Sequence, residues 1–74
     1  MDIETRLRKL ESRYRAALST AVAAKAHYLA LAGEPSATPA AVERAKSYWK
    51  QLDSRKRTIA AQMAELEALE DTTP

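Results

Sequence analysis

The 74-residue sequence has no cysteine, no phenylalanine, one histidine, one glycine and three prolines. The missing cysteines exclude disulfides, zinc–thiolate sites and cysteine nucleophiles together. A single imidazole, His27, excludes a cluster of histidine ligands, and a single glycine excludes a glycine-rich phosphate loop. Long apolar runs are also missing. The longest, Ala21 to Ala24 and Tyr28 to Ala32, fall far short of the roughly 20 residues that a membrane helix needs. The first residues mix Asp2 and Glu4 with Arg6, Arg8 and Lys9 and hold no apolar stretch, so the expectation is a cytoplasmic chain without a secretory signal. Large apolar side chains are scarce as well. Of 34 apolar residues 16 are alanine, which leaves 18 for a core. A chain of this length buries only about 60% of its unfolded surface and usually needs a disulfide, a metal or a partner chain as a staple. By elimination the staple is a partner chain.

What is present is helical periodicity. Ile3, Leu7, Leu10, Tyr14, Ala17, Ala21, Ala24, Tyr28 and Leu31 recur at alternating steps of four and three, a heptad pattern that no strand produces. Val42, Ala45, Trp49, Leu52, Lys56, Ile59, Met63 and Leu66 repeat it, with Lys56 as the one polar intrusion. Between the two tracts Gly33 and Pro35 end one helix, while Thr38 and Pro39 start another as N-cap and first helical residue. The sequence predicts a single all-α domain, an antiparallel two-helix hairpin of coiled-coil type. Its parts are a helix over about 2–32, a loop over 33–38, a helix over 39–70 and a frayed tail over 71–74. Folding the chain back about Glu34 to Ser36 sets Ala21 and Ala24 against Trp49, and Arg6, Arg8 and Lys9 near Glu65, Glu67 and Glu70.

Leu18, Val22 and Leu29 form a second stripe offset from the seam, and Tyr48 and Leu69 also lie outside it. A two-helix hairpin has one seam to bury, so this surplus predicts assembly into a four-helix bundle or docking on another protein. The expected partner interface is Leu18, Val22, Tyr28, Leu29, Tyr48 and Trp49, with a homodimer as the first candidate. Catalytic parts are lacking. His27 has no carboxylate one helical turn away to orient it, and the run Glu65, Glu67, Glu70 and Asp71 lacks the glycine-bearing, oxygen-rich loop of a calcium site. The reading is a non-enzymatic chain without cofactor, metal, membrane contact or small-molecule substrate.

A second function class rests on charge. The net charge is only +2, but Arg44, Lys46, Lys50, Arg55, Lys56 and Arg57 face Asp53 alone within one stretch of the second helix. The fold-back brings Arg13 and Arg15 close. Arg13, Arg15, Lys50, Arg55, Lys56 and Arg57 would then form a mid-hairpin belt able to hold phosphates, with Tyr14, Tyr48 and Trp49 near enough to stack bases. Lys56, at a core heptad position, either extends its stem to solvent or meets a carboxylate on a partner chain, and Tyr14 is a candidate hydrogen-bond acceptor.

With its Glu-Thr-Arg-Leu opening at Glu4 to Leu7, proline-containing loop and aromatic-bearing second helix, the chain resembles in outline the hairpin chaperone subunits of type III secretion needles. Its short helical-hairpin outline also resembles the RNA-binding copy-control dimers typified by Rop. The apolar surplus makes the leading expectation a protein-interaction module, an adaptor, chaperone or inhibitor, and the first resemblance implies the chaperone among these. The second implies a dimeric RNA or DNA binder that uses the belt. Neither assigns a function to a particular residue.

Overall fold

The computed structural model describes residues 2–71. Asp2 opens the first helix as its N-cap: a carboxylate oxygen accepts the Thr5 backbone N–H at 2.8 Å, satisfying one of the donors that a helix start leaves unpaired. Helix α1 then runs Ile3–Ala32 and helix α2 runs Pro39–Asp71. At about 1.5 Å per residue they are roughly 45 and 50 Å long. The second helix thus includes Asp71, and the rest of the expected tail, 72–74, lies outside the described residues.

The first helix ends at Gly33 as expected, with Gly33 as its C-cap, but without a left-handed backbone. No described residue has a positive φ, and Gly33 sits at φ −87° and ψ −4°, a right-handed conformation open to any residue. The Gly33 N–H still donates to the Leu29 carbonyl at 3.2 Å. The stop comes from Pro35, which has no N–H to offer the Leu31 carbonyl and disfavours helical geometry at Glu34. Leu31 instead accepts the Glu34 N–H at 3.0 Å in a tightened last turn. The restart follows the local chemistry of the sequence. Thr38 Oγ1 accepts the Ala41 N–H at 3.1 Å, and Pro39 takes the position where a missing N–H costs nothing.

The two helices pack into a rod of 60 × 15 × 15 Å with a radius of gyration of 16.8 Å. A compact chain of this length would have about 11 Å. In α1 the nine heptad positions from Ile3 to Leu31 are the ones withdrawn from solvent, and every other residue of the helix is exposed. In α2 all eight heptad positions are withdrawn, joined by Ala41, Lys46 and Asp53. Only Ala21, Ala24 and Ala45 are buried, at 3%, 8% and 9% exposure, and no large side chain among the described residues is fully buried. One seam between two cylinders leaves every large residue half open, so small alanines at closest approach form the only closed core.

The expected charge pairing across the open end is not made. Arg8 reaches Glu4 on its own helix at 2.8 Å, and among the described residues all ion pairs run within a single helix. Glu4 and Arg8 stand one turn apart on one face, which makes their contact easier than one across the seam.

Candidate interaction surfaces

Near the loop end, Tyr28 and Trp49 stack with ring centroids 5.8 Å apart and planes 8° from parallel. Helical side chains lean toward the N-terminus of their own helix. Tyr28 therefore leans over the turn of Ala24 and Trp49 over that of Ala45, and in an antiparallel pair the two rings converge. Lys25 places Nζ 5.4 Å from the Trp49 ring centroid, a cation–π contact that sequence reasoning missed. Tyr28 and Trp49 are half-buried parts of the hairpin's own seam, whereas Tyr48 is 58% exposed.

Leu18, Val22 and Leu29 remain exposed, at 37%, 59% and 55%. Leu18, Val22 and Lys25 of α1 face Trp49, Asp53 and Lys56 of α2 across a hollow of about 170 Å³. Leu29 and Arg15 each stand seven residues from Val22 and so share its row, within about 20°. Asp53 organises the charge on this flank, since its two oxygens take Lys56 Nζ at 3.0 Å and Arg57 Nε at 3.1 Å. The Lys56 hydrogen bond, followed by the Arg57, Lys56 and Lys25 charges, holds the Asp53 carboxyl below its ordinary value against the opposing effect of partial desolvation. Lys56 thus has a carboxylate partner on its own helix rather than Tyr14. The spacing of Asp53 to Lys56 and Arg57, three and four residues, was the signal in the sequence.

Tyr48 belongs to the other flank. It precedes Trp49 by one residue, about 100° around the helix, while Asp53 lies about 40° away in the opposite sense. Arg55, Gln62 and Leu69 follow Tyr48 at intervals of seven. Two hollows run along this side and share Arg13. One, of about 350 Å³, has Arg13 and Arg55 at its edges and Ala17, Leu52 and Ile59 among its lining. The other, of about 380 Å³ near the open end, brings Arg6, Lys9 and Arg13 against Gln62, Glu65 and Leu69.

The six residues expected to form one interface are therefore divided: Leu18, Val22 and Leu29 on one flank, Tyr48 on the other, Tyr28 and Trp49 in the seam. The basic belt is divided in the same way. Arg13 and Arg55 share a groove. Lys50 and Arg57 line a hollow with Trp49 and Asp53 on the opposite flank, Arg15 stands in the Val22 row, and Lys56 lies in the seam. Among the described residues no group of three or more His, Asp or Glu could hold a metal ion, and no helix is long and apolar enough to cross a membrane. No family model, curated protein or solved structure matches the chain.

Proposed function

We propose that the hairpin is a small, non-enzymatic interaction module of the cytoplasm, an adaptor, chaperone or inhibitor. Its Leu18–Val22–Leu29 flank packs against helices of a second copy, or of another protein, to complete a four-helix bundle. One observation carries this reading: the accessible surface is 5599 Å², against about 4,500 Å² for a compact monomer of this mass. The excess, about 1,000 Å², is of the size that each partner of a standard interface contributes, about 800 Å². Covering what remains exposed of Leu18, Val22 and Leu29 contributes about 2–4 kcal/mol per subunit. Two subunits together gain about 4–8 kcal/mol, less than the roughly 8 kcal/mol of a micromolar complex even before the cost of association, so these three side chains alone support a weak complex and a tighter one requires burial of the neighbouring surface as well.

The reading takes the chain as non-enzymatic because His27, the sole imidazole, has no carboxylate one helical turn away to orient it and there is no cysteine to serve as nucleophile. Nucleic-acid binding across the mid-hairpin belt stands second, because Asp53 neutralises part of the belt and the rest is spread over two flanks. Capture from cytoplasmic extract, with and without nuclease, is the test. Under the proposal the intact protein retains itself or a protein partner in a nuclease-resistant manner, and Val22→Glu with Leu29→Glu loses it. Retention that disappears with nuclease, or that ignores those substitutions, contradicts it.

A further inference from the structure

The flank opposite Leu18 and Val22 has an apolar floor and an unbalanced rim. Leu10, Ala17, Leu52, Ile59 and Leu66 line its two hollows, and Arg6, Lys9, Arg13 and Arg55 stand around them against Glu65 alone. Among the described residues none of the four cations makes an ion pair, in contrast to Lys56 and Arg57 across the hairpin, which share Asp53. Thr20, which also lines this side, already donates its hydroxyl to the Ala16 and Ala17 carbonyls at 3.0 Å each, so it adds no free polar demand to the floor. From Arg6 to Thr20 the groove is about 21 Å long, enough for a helix of about four turns.

We propose that this groove docks an amphipathic helix of a different protein, one whose apolar stripe is flanked by glutamates or aspartates. The inference rests on the interaction-module reading and adds a second surface to it. Charge selects the occupant. A second copy seated symmetrically here would set the same four cations against themselves, with one carboxylate per subunit to offset them, which disfavours self-association on this face; the opposite flank is basic too, but there Lys56 and Arg57 are already paired with Asp53 and Leu18, Val22 and Leu29 supply the exposed apolar row. A nucleic-acid backbone would answer the cations but has no apolar stripe to fill a floor of Leu, Ile and Ala, and no aromatic ring lines either hollow to stack a base, the exposed Tyr48 of this flank standing about 10 Å beyond Arg55.

The test is fluorescence anisotropy with a labelled synthetic helix of about six turns. It carries leucines at helical spacing with glutamate on both sides of the stripe. A second peptide has the same leucines flanked by lysine, and a labelled single-stranded RNA is the third probe. The acidic peptide is expected to bind about tenfold or more tightly than the lysine peptide, and Arg13→Glu with Arg55→Glu should remove that preference. The same charge reversals should leave helicity and self-association unchanged, while Val22→Glu with Leu29→Glu should abolish self-association and leave the acidic peptide bound. Equal binding of the two peptides, absence of binding, or RNA bound more tightly than the acidic peptide and lost on the Arg13 and Arg55 reversals, each overturns this inference. None of these outcomes touches the Val22 flank, whose failure is read separately from the oligomeric state.

Discussion

Ala24 offers the sharpest test of the seam. It is 8% exposed beneath the turn where the Tyr28 and Trp49 rings stack at 5.8 Å, and it lines none of the hollows described above. Leucine at this position adds three carbons. Were there room, burying them would stabilise the fold by about 2 kcal/mol, at about 0.8 kcal/mol per methylene. There is no void to receive them, so Ala24→Leu must push the aromatic pair apart or splay the helices, a cost of about 1–3 kcal/mol. For a chain of this size that lowers Tm by roughly 5–20 °C, at about 4–8 °C per kcal/mol. Thermal unfolding followed by circular dichroism at fixed protein concentration reads the shift, with Ala23→Leu, exposed on the same helix and about 100° around from Val22, as the control expected near zero. An unchanged or raised Tm for Ala24→Leu would refute the packing argument. A matching loss for Ala23→Leu would show that the effect is not specific to the seam.

Three further outcomes follow from the same geometry. Gly33→Ala should stabilise the hairpin by about 0.4–1 kcal/mol in urea unfolding, because the backbone is right-handed there and a Cβ would meet only the Leu29 and Ala30 carbonyls at 3.7 Å; destabilisation would mean that the turn needs glycine after all. Lys56→Leu should raise stability by about 1 kcal/mol in the same assay, since an apolar side chain fills the seam while Asp53 keeps Arg57, and a fall would show that the Lys56–Asp53 pair holds the helices together. Asp2 and Asp53 are both held below their ordinary value near 3.8, Asp2 by the Thr5 backbone N–H and Asp53 by Lys56. Their stabilisation is complete above that value and is lost as pH falls through the lower folded-state values, so Tm should drop below about pH 4 and Asp53→Asn should flatten the drop.

Where a residue's structure is decided within a few neighbours, the sequence carried it. The nine α1 seam positions follow from steps of three and four alone, and Thr38-Pro39 from capping chemistry that needs only the next turn. Gly33 caps α1 where the sequence placed the stop, but its right-handed backbone was not legible, because Pro35 already prevents the helix from continuing and leaves the glycine no left-handed turn to make. The cross-helix charge pairs failed because Arg8 is taken by Glu4 one turn away on its own helix, while Arg6 and Lys9 face Glu65 across the open-end hollow without closing to an ion pair among the described residues. The candidate surface was legible as a surplus of apolar residues but not as a place. Tyr48 and Val22 both fall outside the seam, and only their angular positions around the two helix axes separate them onto opposite flanks. Asp53 was visible as the lone acid among cations, yet its spacing to Lys56 and Arg57 had to be read to see that it quiets part of the belt.

The central claim is that the hairpin does not close its own apolar surface and completes it by association through Leu18, Val22 and Leu29. Sedimentation equilibrium from about ten micromolar to about one millimolar, where a net association of about 4–7 kcal/mol is populated, tests it directly on the intact chain and on Val22→Glu with Leu29→Glu. The account predicts a dimer or larger species for the intact chain and a monomer of unchanged helicity for the double variant. An intact chain that remains a well-folded monomer throughout that range, or a double variant that associates as the intact chain does, would contradict it.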